Sequence, residues 1–297
     1  MTAWARAGDG VRRALLGLAR ANAVLALSTA AATWMVQVLA RVPVEPVSPA
    51  IVGLVFYSVY TLDRAADHAA DAVTHASRAG FSRRYLRLLW ASAGVAYVLA
   101  VALAAMRGAW SVAVALLPLA AVLLYTFRIM PPSIARRVGF ARVKEVFVLK
   151  NVYVAATLGA APALLLVAAP GPVGDARAML GAGVFMFARW WINVLVFDVR
   201  DEAGDRLNGL RTVPVVLGRA RTLRLLHAAN ALLGAMLLAA PLAGLLPPAF
   251  AVLAASSLYA WYYLWRLEMD GDVHFLCDVI ADGELAVQAS VLLVTAV

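Results

Sequence analysis

Charge is scarce in this sequence. Only 14% of its 297 residues are Asp, Glu, Lys or Arg while 64% are hydrophobic, whereas a soluble domain carries about 25% charged residues. With a mean hydropathy of +0.82, an ordinary water-soluble globular protein is excluded. Cysteine is scarcer still: Cys277 stands alone, so no intrachain disulfide and no cysteine-rich metal site can be built. Redox chemistry therefore gets no support. Serine-rich and repetitive linkers are also missing, which leaves little chain for a separate soluble domain.

What is present is a series of long apolar runs. A membrane span needs about 20 apolar residues, and nine runs qualify as candidates: Ala14 to Ala40, Val47 to Leu62, Leu88 to Met106, Ala109 to Phe127, Val146 to Ala169, Met179 to Phe197, Leu223 to Leu246, Ala249 to Trp265 and Leu276 to Val297. Pro43/Pro46, Pro131-Pro132, Pro170-Gly171-Pro172 and Pro247-Pro248 punctuate between them, where a helix is most easily broken. The first run follows Arg12 and Arg13 but is too long for the core of a signal peptide, and reads as a retained helix. The expectation is an all-α, polytopic membrane protein, a single domain over residues 1–297.

The formal charge of +9 reads as topology in such a chain. Of the Lys and Arg residues, all but Arg41, Arg107, Arg177 and Arg189 fall in the N-terminal segment or in alternate connections between runs. That asymmetry predicts nine helices with the N-terminus and the basic loops in the cytoplasm. A nucleic-acid partner is then unnecessary; the partner is the lipid bilayer.

The acids point to chemistry on the same side. Asp63, Asp67 and Asp71 recur every four residues at the end of the second run, and Asp198, Asp201 and Asp205 follow at i, i+3 and i+7 at the end of the sixth. Each set shares one helical face. Tyr60, Asp63 and Asp67 repeat the spacing of the second set, with Tyr60 where its first acid stands. Stacked carboxylates at a membrane boundary repel unless a cation is held between them. Hard oxygen ligands without matching His or Cys favour Mg2+, which takes one or two carboxylates together with phosphate oxygens. Arg200, Arg206, Arg211 and Lys144 are placed to bind the remaining phosphate oxygens.

These residues resemble the UbiA superfamily of intramembrane prenyltransferases. The likeness is most specific in Asp198-x-x-Asp201-x-x-Gly204-Asp205-Arg206, continued by Gly209, Arg211-Thr212-Val213-Pro214 and Leu217-Gly218. Leu124-Tyr125-Thr126-Phe127-Arg128, leading to Lys144, matches more loosely. The resemblance implies nine transmembrane helices around a central, lipid-open cavity. It also implies that Asp63, Asp67, Asp198, Asp201 and Asp205 hold Mg2+ and the diphosphate of an isoprenoid donor, whose allylic cation is captured by an aromatic or other lipophilic acceptor. Arg128, Lys144 and Arg206 are the expected diphosphate-binding residues. The chain departs from the pattern at Val59-Tyr60, where the family usually shows Asn-Asp.

Arg189, an intramembrane charge, Asn193 one turn on, and Asn22, Tyr60 and Tyr125 are expected substrate-binding residues. Asp278, Asp282 and Glu284 open the last run and read either as a third acidic contribution to the site or as acids favoured at a helix N-terminus. Two other readings compete: a membrane terpene cyclase of the same superfamily, with the cation captured within its own chain, and a transporter or lipid-binding protein. Transporters, however, tend to place their polar groups near the midplane.

Overall fold

The computed structural model describes residues 3–66, 76–126, 133, 137, 146–171, 174–269 and 272–296. Among these every regular element is helical: α1 (Ala3–Arg20), α2 (Ala23–Leu39), α3 (Val47–Ala66), α4 (Ala76–Arg84), α5 (Leu86–Ala105), α6 (Ala109–Thr126), α7 (Leu149–Ala168), α8 (Ala176–Leu207), α9 (Val213–Leu217), α10 (Arg219–Leu242), α11 (Ala249–Val252), α12 (Ala255–Glu268), α13 (Val273–Phe275), a π-helical segment (Leu276–Ala281) and α14 (Glu284–Ala296).

Each apolar run is helical, but several are not single straight spans. The first run breaks at Asn22, whose φ of 59° places it in the left-handed region, and the pieces on either side meet at 76°. Asn tolerates that conformation better than most residues, and its Nδ2 donates to Thr61 Oγ1 at 3.0 Å. The expected uninterrupted first helix is therefore corrected to an angled pair, with the amphipathic α1 lying across the start of α2. The eighth run divides into α11 and α12, and the ninth begins with the π-helical segment before α14. Four helices, α5, α7, α8 and α10, are long and apolar enough to cross a membrane, and the bent pair makes five. Among the described residues, then, length and apolarity support four or five spans rather than the expected nine.

The helices close on themselves: α2 packs on α3, α3 on α5 and α6, α6 on α7, α7 on α8, α8 on α10, α10 on α12, and α14 returns to α2. Lipid tails are as apolar as the helix faces, so close approach of small residues has to supply the packing. It does so between α7 and α8, where a Cβ at Gly159 would lie 2.8 Å from the Phe187 backbone nitrogen. α8 starts where Asp175 accepts hydrogen bonds from the amides of Arg177 and Ala178. At about 1.5 Å per residue, its 32 residues exceed the roughly 30 Å of a bilayer core. Its last turns thus project past the apolar run and carry Asp198, Asp201 and Asp205 with them.

Glu45 organises the far end. Its carboxylate accepts from the amides of Val47 and Ser48, receives Gln37 Nε2 at 3.1 Å and pairs with Arg107 at 2.7 Å. Burial alone would raise its pKa, but the Ser48 and Val47 hydrogen bonds and Arg107 outweigh that and hold it below the ordinary value. A lowered folded-state pKa stabilises above the unfolded value and is lost as pH falls through the folded one. Glu45→Ala, which strips two amides at the start of α3, is expected to cost about 1 kcal/mol in thermal unfolding in detergent at neutral pH, and the difference from wild type should vanish at strongly acid pH.

Candidate active site

The face of α8 that points inward is set by helical spacing: Trp190, Asn193, Val194, Phe197, Asp198 and Asp201 all line one cavity of about 300 Å³. Opposite them stand Phe56, Tyr60, Asp63 and Arg64 from α3, with Leu25 from α2 and Asp282 from the last helix. α6 contributes Pro118, Ala121, Val122 and Tyr125, and α7 contributes Tyr153, Val154, Thr157 and Leu158. The Tyr125 and Tyr153 rings stack with centroids 6.3 Å apart, and Tyr153 Oη donates to the Ala121 carbonyl at 2.9 Å. The cavity is two-sided in chemistry, with acids and guanidiniums at one end and aromatic and aliphatic groups along the rest.

The second acidic motif is held from two directions. Lys150 Nζ lies 2.8 Å from Asp198 Oδ1, and Asn151 Nδ2 donates to Asp198 Oδ2 at 2.7 Å. Both donors come from the first turn of α7, and Asp198 is buried. Arg200 forks onto Asp201, with Nε at 2.6 Å from Oδ1 and Nη2 at 2.9 Å from Oδ2, and its Nη1 reaches Asp278 Oδ1 at 2.6 Å. The same guanidinium lies 4.5 Å from the centre of the Phe197 ring. Asp198, Asp201 and Asp278 are thus each matched by a fixed donor, which is how a carboxylate survives away from water.

The structure brings together Asp63, Tyr60, Tyr125, Asn193, Asp198 and Asp201 of the expected site residues. It leaves others out. Arg189 turns into the packing between α8, α10, α12 and α14, where Nη2 donates to Asn230 Oδ1 at 2.8 Å and to Ser257 Oγ at 3.1 Å, and Nη1 lies 3.2 Å from Glu284 Oε1. In this structure it makes an interhelical ion pair. Arg206 pairs with Glu202 at 2.8 Å on an exposed turn, away from the cavity lining, because it sits on the outer face of α8. Asn22 is buried beside Thr61 and outside the cavity lining. Asp205 lies one turn beyond Asp201, outside the lining. Asp67, Asp71, Arg128 and Lys144 lie outside the described residues.

Four further residues reach the site. Lys150 and Asn151 opened an apolar run and gave no signal beyond a charge at its edge. Of the two readings open for Asp278 and Asp282, the structure favours a contribution to the acidic site: the π-helical turn carries both inward, to Arg200 and to the cavity.

A model of the UbiA prenyltransferase family matches residues 26–273. The chain belongs to the UbiA prenyltransferase family. The structure is similar to the apo structure of a UbiA homologue from Aeropyrum pernix K1, with a TM-score of 0.67 and 18% identity over 92% of this chain and 98% of that one. It is also similar to a UbiA homologue from Archaeoglobus fulgidus bound to GPP and Mg2+, with a TM-score of 0.60 and 15% identity over 94% and 99% of the two chains. A third likeness, at a TM-score of 0.53 and 14% identity over 95% of each chain, is to a digeranylgeranylglyceryl phosphate synthase. No curated protein matches the sequence.

Among the described residues no three His, Cys, Asp or Glu groups gather closely enough to cage a metal ion. Mg2+ keeps waters and takes one or two carboxylates with substrate phosphate oxygens. Asp63 on one wall and Asp198 and Asp201 on the other are donors of the hard, anionic kind it requires.

The Arg189–Glu284 pair gives a stability test. Removing one partner of a buried pair leaves the other charge uncompensated. Arg189→Met is expected to lower unfolding stability in micelles by about 3–5 kcal/mol, and adding Glu284→Gln should restore part of that loss.

Proposed function

We propose that this UbiA-family protein is a Mg2+-dependent intramembrane prenyltransferase, ionising an isoprenoid diphosphate and transferring its prenyl chain to an aromatic or other lipophilic acceptor. The observation that carries the reading is one cavity walled by Asp63 from α3 and by Asp198 and Asp201 from α8, the remainder of which is aromatic and aliphatic. Such a cavity suits a ligand with a polyanionic head and a hydrocarbon tail.

Asp63, Asp67, Asp198, Asp201 and Asp205 are the residues assigned to Mg2+. When bound, the ion neutralises charge developing on the departing diphosphate. Lys150 and Arg200 hold Asp198 and Asp201 in place and set two fixed positive charges beside the head group, so little reorganisation is needed as the diphosphate leaves. Arg128 and Lys144 are assigned to its outer oxygens. Tyr60, Tyr125, Trp190 and Phe197 line the remaining wall and exclude water from the allylic cation. The whole chain acts as one integral-membrane unit, with its N-terminus and acidic helix ends facing the cytoplasm.

The test is diphosphate release by the detergent-purified protein, given C10 to C20 allylic diphosphates with and without Mg2+. Release should require Mg2+, and Asp198→Ala with Asp201→Ala should lower it by at least about 100-fold, as expected for loss of groups that stabilise departing charge. Metal-independent release, or release untouched by the double substitution, would sink the reading. Uptake of a substrate without cleavage would favour a transporter.

A further inference from the structure

We propose that α1, together with the corner between α4 and α5, is a membrane-surface platform that binds the headgroups of anionic phospholipids. It is a second binding surface, separate from the cavity and independent of the reaction carried out there.

α2 runs with the bundle, packed on α3 and α7, and α1 meets it at 76°, so α1 crosses the bundle's end. It is tied down along one face. Arg12 pairs with Asp272, its guanidinium lies 5.6 Å from the centre of the Phe275 ring, and Ala19 is buried. Helical spacing then puts Val11 and Leu18 along one edge of α1, and Arg13 and Arg20 along the opposite edge. The first edge is apolar and open, with Val11 61% and Leu18 48% exposed. A helix with one apolar and one basic edge, laid across the end of a membrane bundle, has the form of an interfacial helix.

The neighbouring elements carry more of the same charge. α1 touches α4, where Arg83 and Arg84 are exposed, and Arg87 follows, also exposed, in the first turn of α5. Arg84 lies 5.4 Å from the centre of the Tyr85 ring. Trp90, 48% exposed, stands just beyond, and Tyr and Trp are the side chains that collect at the membrane–water boundary. Among the described residues, Arg13, Arg20, Arg83, Arg84 and Arg87 pair with no acid; Arg13 Nε donates only to the Asp9 backbone carbonyl. Arg12, Arg107, Arg189, Arg200 and Arg206, by contrast, each hold a carboxylate of the chain.

Charge complementarity selects the occupant. Guanidinium forks match phosphate oxygens, and basic segments beside a membrane are drawn to anionic lipid, each Arg adding to the attraction. The open apolar edge beside them calls for acyl chains under the same headgroups, which a soluble anion does not offer. Basic connections also fix orientation during insertion, but that role depends on the number of charges and not on their arrangement along one edge of a helix. The platform is coupled to the rest of the protein through Arg64, which lines the cavity and whose Nη1 donates to the Ala19 carbonyl of α1 at 3.1 Å. A seated α1 therefore holds the charged end of the cavity at headgroup level.

The experiment measures lipid binding to the full chain in a neutral detergent by native mass spectrometry, with dioctanoyl phosphatidylglycerol and dioctanoyl phosphatidylcholine as probes. Wild type should bind the anionic lipid about tenfold or more tightly than the zwitterionic one, and high salt should shrink that preference. Arg13→Gln with Arg20→Gln, and separately Arg83→Gln with Arg84→Gln and Arg87→Gln, should each weaken phosphatidylglycerol about tenfold and leave phosphatidylcholine unchanged. Val11→Ser with Leu18→Ser should weaken both lipids. Arg177→Gln removes one charge from the other end of the bundle and should change neither. Inorganic diphosphate with Mg2+ should not displace the lipid. The inference is overturned if wild type binds the two lipids equally, or if its preference is indifferent to salt or survives both sets of arginine substitutions. It is equally overturned if Arg177→Gln lowers the preference as far as those sets do, if the Val11 and Leu18 changes have no effect, or if diphosphate displaces phosphatidylglycerol, which would give these arginines to the cavity's own ligand. The salt titration uses wild type alone, so it decides the matter even where a variant fails to fold.

Discussion

The carboxylate of Asp198, held between Lys150 and Asn151 at 2.8 and 2.7 Å, is the contact on which the site depends. It is buried at the end of an apolar helix, where an unpaired charge is costly, so its position is set by whatever delivers its partners. Those partners ride on the first turn of α7. α7 can bring them only because Gly159 lets its backbone press against α8 at Phe187. Packing a few turns inside the bilayer thereby fixes the chemistry at its edge. Arg200 repeats the principle on the other flank, tying Asp201 to Asp278 and so joining α8 to the last helix.

Buried charge serves two purposes in this protein, distinguished by surroundings. Around Arg189, every neighbouring group belongs to the packing: Asn230, Ser257 and Glu284 converge on the guanidinium, while Tyr263 Oη and Gln288 Nε2 donate to the Glu284 carboxylate. That network joins four helices that would otherwise meet only through apolar faces. Around Asp63, Asp198, Asp201 and Asp282 the neighbours enclose a cavity instead. A charge facing open volume can meet a ligand, and one enclosed by its own helices cannot.

The sequence made the two acidic motifs and the family legible because both are local. Asp198, Asp201 and the Gly-Asp-Arg continuation lie on one short stretch, and helical spacing alone puts the acids on one face. The cavity-facing aromatic positions Tyr60 and Tyr125 were legible for the same reason, being one or two turns from the motifs. An intramembrane charge such as Arg189 looks the same in sequence whether its partner is a substrate or Glu284, a residue far along the chain. Arg206 follows the motif directly but points outward, next to Glu202. Asp282 was underestimated because a π-helical turn changes the face a residue presents, and no periodicity in the sequence announces such a turn.

By itself, then, the sequence determined a helical membrane chain, its family and the acids around which its chemistry is built, since composition and i, i+3, i+4 spacing are properties of neighbouring residues. It did not determine where the apolar runs would bend, which is why Asn22 and the π-helical turn came as corrections. Only the tertiary structure decided which charges meet one another and which face the cavity. Those pairings join residues tens to hundreds of positions apart, and helix packing alone sets the distances between them.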